Sequence, residues 1–254
     1  MTGPLDAVLF DMDGLLVDTE PLWFETERAV MARLGGQWAD SDQHQMLGGS
    51  LERTVGYMLS KVAAADQGER RARPEDVGEW LLSGMTGLMR ARGVTVLPGA
   101  GELLGEVAAA GLPHALVTSS QRQIMDTVLA VTGLAFKVTV CGEDVARTKP
   151  DPEPYLRAAT LLGVDPARCA VLEDSASGVA AAQAAGCAVV MVPSLPPPDG
   201  PAPDGRAARG GPGPLVVRSL REVSLARLRD TVAAHLAAGA PAAICDDGQE
   251  CRQG

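Results

Sequence analysis

The chain has 254 residues, 46% of them hydrophobic and 21% charged, enough to bury a full-size core as one large or two modest domains. Its formal charge is −10 and its pI lies near 4.8, which argues against a general nucleic-acid binder or a polybasic membrane adaptor. Acidity does not exclude an anionic substrate, because a local cation can reverse the sign of one site.

Residue usage is skewed. There are three lysines (Lys61, Lys137, Lys149) and no asparagine, hence no acceptor for N-glycosylation. The five cysteines (Cys141, Cys169, Cys187, Cys245, Cys251) are odd in number and form no CxxC pair. They read as buried thiols of a reducing, cytoplasmic compartment. No basic n-region precedes Asp6, so the start does not read as a signal peptide. No apolar run approaches the ~18 residues of a membrane span.

In chain order, residues 5–10 form an apolar, strand-like run that stops at Asp11. Helical spacing follows over 20–35, closed by Gly35-Gly36, and again over 50–66 and 75–92. Pro98-Gly99 is a break. Beyond it the pattern alternates: helix 100–110, strand 113–118, helix 121–131, strand 137–141, helix 152–162, strand 169–173, helix 176–185 and strand 187–192. Asp151 is the expected N-cap of the helix at 152, with Pro152 at its first position. The Pro- and Gly-rich stretch 193–214 reads as a mobile surface insertion. A short strand at 215–217 follows, then a helix near 220–236 with Ser219 and Glu222 as a capping box. Residues 239–254 read as a frayed tail.

This pattern predicts an α/β fold, a doubly wound parallel sheet with an inserted all-helical domain. The expected boundaries are 1–17 and 96–238 for the core, 18–95 for the helical insert and 239–254 for the tail.

Polar groups collect where the strands end, which is where such sheets bind ligands. Asp11-Met12-Asp13-Gly14 closes the first strand, although Asp and Gly also make ordinary turns. Thr118-Ser119-Ser120 offers hydroxyls and N–H groups to an anion, or simply an N-cap. Lys149 precedes a helix, a place where lysines are usually solvated. Glu173-Asp174-Ser175 closes a buried strand, where acids also suit a helix start. Together these ends bring up to four carboxylates, an ammonium and a hydroxyl cluster to one edge of one sheet. Four acids alone would raise each other's pKa; a hard divalent cation such as Mg²⁺, shared with phosphate oxygens, removes that conflict.

The segments Asp11-Met12-Asp13-Gly14-Leu15-Leu16-Val17-Asp18-Thr19-Glu20, Val117-Thr118-Ser119-Ser120, Lys149-Pro150 and Leu172-Glu173-Asp174-Ser175 resemble, in order, the four motifs of the haloacid dehalogenase-like hydrolases. The helical insert looks like the cap of the subfamily holding beta-phosphoglucomutase and small sugar phosphatases. Asp18-Thr19-Glu20-Pro21-Leu22-Trp23 is similar to hexitol and deoxyhexose phosphatases of that subfamily.

The resemblance implies roles. Asp11 is the nucleophile and Asp13 the general acid and base. Thr118, Ser119 and Ser120 bind the phosphoryl oxygens, and Lys149 offsets charge. Mg²⁺ is held by the Asp11 carboxylate, the Asp13 carbonyl, Asp174 and Glu173. Gly48-Gly49-Ser50 resembles the substrate-specificity loop of the cap, so Gly49 and Ser50 are expected against substrate. Glu20 binds a sugar hydroxyl or caps the first cap helix; Trp23 stacks on a sugar or belongs to the core. The mutase pattern expects an Arg directly after the loop and a His in the first cap helix. Here those positions are Leu51 and Trp23, with Arg53 nearby. A Mg²⁺-dependent phosphatase of a sugar or polyol monophosphate is therefore the leading expectation, and a phosphosugar mutase the alternative. A phosphonatase would need Lys61, the only lysine of the cap, to form a Schiff base. The expected partner is a small phosphorylated metabolite, with no nucleic acid and no membrane, and the chain is expected to be a monomer.

Overall fold

A computed structural model describes residues 3–46, 50–63, 72–193 and 213–239. Six parallel strands form the main sheet in the order β5-β4-β1-β6-β7-β8. They are β1 (Ala7–Phe10), β4 (His114–Val117), β5 (Val138–Val140), β6 (Cys169–Glu173), β7 (Ala188–Met191) and β8 (Leu215–Val216). β1 lies in the middle, paired with β4 on one side and β6 on the other.

The strands are apolar at successive positions because both faces are covered. Val8, Phe10, Leu116, Leu172 and Val190 point to one face, packed with residues of α5 (Ala100–Ala109), α6 (Arg122–Thr132) and α9 (Leu225–Gly239). Ala7, Leu9, Ala115, Val117, Val171 and Val189 point to the other, against α7 (Glu153–Leu162) and α8 (Ala176–Ala184). Each buried Leu or Phe stabilises the fold by about 1.5–3 kcal/mol.

Between β1 and β4 the chain leaves the sheet. A two-stranded antiparallel ladder, β2 (Val17–Asp18) with β3 (Thr95–Val96), marks the way out and back. Leu97 N donates to Leu16 O at 2.8 Å beside it. The excursion carries α1 (Glu20–Arg33), α2 (Asp40–Met46), α3 (Leu51–Ala63) and α4 (Pro74–Arg92). These helices share their own apolar centre, including Val30, Met31, Trp38, Met58 and Leu81. Trp23 is half-buried and packs against both this centre and the sheet's core.

The structure corrects several local expectations. The helix expected at 152 starts at Glu153, with Pro152 rather than Asp151 at the N-cap; Asp151 Oδ1 still accepts from Glu153 N at 3.0 Å. Ser219 and Glu222 do not open the last helix. Ser219 caps a single 3₁₀ turn, Leu220–Glu222, and the helix begins at Leu225, where Ser224 Oγ accepts from Arg227 N. α2 and the β2–β3 ladder were not anticipated. α2 is polar, with Asp42 and Met46 its buried residues, so it has no apolar stripe to read. The rest of the expected helix 50–66, most of 193–214 and the tail after 239 lie outside the described residues, as do Gly49, Cys245 and Cys251. Cys141, Cys169 and Cys187 are buried free thiols. Burial pushes the Cys169 thiol up to about 12, which keeps it unreactive.

Candidate active site

The carboxyl ends of β4, β1 and β6 are neighbours in the sheet, so Thr118, Asp11 and Glu173 meet by backbone register alone. Past β1 the chain must turn at once. Gly14 does this with φ +79°, a left-handed conformation that favours glycine, and its N–H donates to Val17 O at 2.9 Å. Met12, Leu15 and Leu16 are buried beneath the turn, which holds Asp11 and Asp13 beside the sheet edge.

Lys149 ties the centre together. Its Nζ donates to Asp11 Oδ1 at 2.5 Å, Glu173 Oε1 at 2.6 Å and Val117 O at 2.8 Å. Its side chain is 5% exposed, against 9% for Asp11 and 0% for Glu173. Tyr155, on α7, donates its hydroxyl to the same Glu173 oxygen at 2.5 Å. Ser175 Oγ donates to Glu173 Oε2 at 3.1 Å and accepts from Gly178 N, capping α8. The Glu173 carboxylate lies so close to α8 that a Cβ on Gly178 would stand 1.9 Å from it.

Electrostatics follow from this burial. Desolvation raises the Asp11 carboxyl well above the usual carboxylate range; Lys149 opposes the rise, while Glu173, Asp174 and Asp13 add to it. Desolvation pulls the Lys149 ammonium down, but Asp11 and Glu173 outweigh it and hold its pKa above the ordinary lysine value. Burial raises the Tyr155 phenol as well, aided by Glu173 and Asp11, so it stays a hydrogen-bond donor.

Asp13 sits in a separate hydroxyl cradle. Oδ1 accepts from Thr19 Oγ1 at 2.7 Å; Oδ2 accepts from Ser120 Oγ at 2.8 Å and Thr118 Oγ1 at 3.3 Å. Thr118 Oγ1 also accepts from Ser120 N at 3.0 Å. The hydroxyls expected on a phosphoryl group thus face Asp13 here, and Ser119 is exposed.

One oxygen from each of Asp11, Glu173 and Asp174 lies within 4.8 Å of the others. A hard divalent cation fits this oxygen set and would offset the carboxylate repulsion that adds to the desolvation of Asp11. The Asp13 carboxylate is not part of the set.

The cap residues are placed less tightly. Glu20 opens α1 next to Thr19 and is half-buried. It does not cap that helix: Asp18 Oδ1 accepts from Glu20 N at 3.3 Å, while the Glu20 carboxylate accepts from Gln43 Nε2 at 3.2 Å. Ser50 is exposed, and its hydroxyl accepts from Arg53 N in the first turn of α3. The Arg53 guanidinium is engaged on Gln45 O at 3.0 Å. Lys61 pairs with Asp42 and donates to Gln37 O at 3.2 Å. Thr19, Tyr155 and Gly178 are the contributors that sequence reasoning missed. Tyr155 lies on an apolar helical face, where it reads as core, and its hydroxyl gains meaning only once α7 is docked on the sheet.

Residues 8–192 match the haloacid dehalogenase-like hydrolase family. The chain belongs to that family. It is 35% identical over 205 residues to protein CbbY of Rhodobacter capsulatus, covering 75% of this chain and 86% of that one. It is 33% identical over 190 residues to hexitol phosphatase B of Escherichia coli K12, covering 74% and 83%. Among solved structures, CbbY of Rhodobacter sphaeroides in complex with phosphate aligns with a TM-score of 0.73 at 26% identity, over 88% of this chain and 99% of that one. As a haloacid dehalogenase-like hydrolase, the chain carries its acids at the strand ends where the sheet brings its polar groups together.

Proposed function

We propose that this hydrolase is a Mg²⁺-dependent phosphatase of a sugar or polyol monophosphate, working through an aspartyl-phosphate on Asp11. The observation that carries the reading is Lys149, buried between Asp11 and Glu173, with Asp13 held two residues beyond the nucleophile. The phosphatase name of one relative and the phosphate in the CbbY structure support it.

An Asp11 carboxylate oxygen attacks phosphorus as the phosphorus–oxygen bond to the sugar breaks, and Asp13 gives its proton to the departing oxygen. Water then attacks the aspartyl-phosphate, Asp13 takes its proton, and phosphate and the Asp11 carboxylate are released. Thr19, Thr118 and Ser120 orient Asp13 for both transfers. Lys149 favours the ionised form of Asp11 against its burial and lowers the repulsion it offers an incoming phosphate. When bound, Mg²⁺ would be held by Asp11, Asp174, Glu173 and the Asp13 carbonyl, and would neutralise phosphoryl charge.

Residues 18–95 are proposed as a cap over a core of 1–17 and 96–238. Its departures from the mutase pattern at Leu51 and Trp23, with Arg53 engaged elsewhere, favour hydrolysis over transfer to a second position. The chain is proposed to act as a monomer on a small molecule. Incubation with a hexose 1-phosphate, Mg²⁺ and an EDTA control tests the reading. Inorganic phosphate released only with Mg²⁺ is the expected result; a hexose 6-phosphate without phosphate release would make the chain a mutase instead.

A further inference from the structure

Among the described residues, the cap holds two buried carboxyls that the reaction above does not use: Asp42, paired with Lys61 and Tyr57, and Glu27. Glu27 lies two turns along α1 from Glu20, on the same face, and is 4% exposed. Its Oε2 is buried with no hydrogen-bond partner among the described residues. Leaving such an atom unpaired costs about 1–3 kcal/mol, so its retention calls for an explanation.

Its surroundings form a short relay. Trp38 Nε1 donates to Gln43 Oε1 at 3.0 Å, and Gln43 Nε2 donates to Glu20 at 3.2 Å. Trp38 and Gln43 both lie against Glu27 and favour its charged form. Among the described residues, the charges acting on Glu20 and Glu27 are Asp13, Asp18 and Glu20 itself, all negative. On the far side of Trp38, Lys61 and Tyr57 are paired with Asp42. The described arginines of α1, α3 and α4 and the N-cap Arg73 are engaged elsewhere: Arg33 stacks over Trp80, Arg28 lies over Phe24, Arg53 reaches Gln45 O, Arg73 pairs with Asp76, Arg92 with Glu25, and Arg90 reaches Thr127.

We propose that Glu27 is a positioning residue for substrate hydroxyls: in its neutral form it leaves the Gln43 amide to hold Glu20 facing the Asp13 side of the site. Burial, with Glu20 nearby, moves the Glu27 carboxyl up to about 7. Once ionised, Glu27 competes with Glu20 for the N–H groups of Gln43 and adds a negative charge behind it. A neutral, polyhydroxylated leaving group is the substrate class this arrangement serves, because Glu20 accepts its O–H groups and repels a second phosphate. The inference rests on the phosphatase reading above.

The test compares KM for a hexitol monophosphate with KM for p-nitrophenyl phosphate, which lacks hydroxyls, so titrations shared by both cancel in the ratio. The wild-type ratio is expected to rise about tenfold between about pH 6 and about pH 8. Glu27→Gln keeps a neutral donor and is expected to hold the ratio low and flat. Glu27→Leu, which cannot ionise and compete for the Gln43 amide, is likewise expected to hold the ratio low and flat, with kcat for the two substrates altered alike. A flat wild-type ratio, or a Glu27→Gln or Glu27→Leu variant whose ratio still rises with pH, overturns the inference while leaving the phosphatase reading intact. Failure of the wild type to hydrolyse either substrate with Mg²⁺ overturns both.

Discussion

The sheet edge and the helical insert bury acids in opposite ways. At the sheet edge, Asp11 and Glu173 share a buried ammonium, and Glu173 takes further donors from Tyr155 and Ser175. In the insert, among the described residues, Glu20 and Glu27 face like charge, a neutral amide and an indole. The first arrangement fixes charge in place, as electrostatic catalysis of phosphoryl transfer requires. The second leaves charge adjustable, which suits selection among leaving groups. The difference has a structural origin. The first set hangs on adjacent strand ends whose register cannot slip without exposing the core, whereas the second hangs on one helix and a short polar one beside it.

Removing the shared cation should break the contrast most severely. Lys149→Ala leaves two buried carboxylates uncompensated, so destabilisation of about 3–5 kcal/mol is expected by denaturant melting, with phosphate release lowered about a thousandfold. A loss of activity below tenfold would show that Lys149 is not the charge that organises Asp11. Next, Gly178→Ala drives a methyl group into the Glu173 carboxylate and should cost about 3 kcal/mol, read in the same melts. Unchanged stability would mean that α8 does not clamp Glu173.

The insert's adjustable charge predicts a pH effect with a definite sign. The Glu27 carboxyl stands at about 7 when folded against an ordinary 4.5. Between those values the folded chain binds more protons than the unfolded one, so stability falls as pH rises. Up to about 3 kcal/mol is lost across that window, and Glu27→Gln should remove that component of the slope. Equal slopes for the two proteins, measured by urea melts from about pH 4.5 to about pH 8, would place Glu27 in a polar setting. The smallest effect is expected from Tyr155→Phe, which removes one of several donors to Glu173. It should cost about 1–3 kcal/mol and reduce phosphate release less than tenfold.

The same contrast explains what could be read beforehand. The alternation of apolar strands and helices, and acids placed where those strands stop, are local patterns. They announce the sheet, its crossovers and the positions of Asp11, Thr118, Lys149 and Glu173. What escaped is settled by contacts far apart in sequence. α2 has no apolar stripe because Asp42 is buried on partners, Tyr57 and Lys61, found only in the folded insert. The β2–β3 ladder joins residues almost eighty apart and is two residues long on each side. Glu27 reads as an ordinary helix-face acid until Trp38 and Gln43 close over it. The capping expectations at Asp151 and Ser219 failed by a few residues because a Pro and a 3₁₀ turn took the expected helix starts.

The central claim is that Asp11 carries the phosphoryl group. Rapid acid quenching of the enzyme turning over a hexitol monophosphate with Mg²⁺, followed by peptide mass spectrometry, reads this directly. A phosphorylated peptide containing Asp11, absent in Asp11→Asn together with phosphate release, is the predicted result. Turnover that persists in Asp11→Asn, or a phosphoryl group found on another residue, would contradict it.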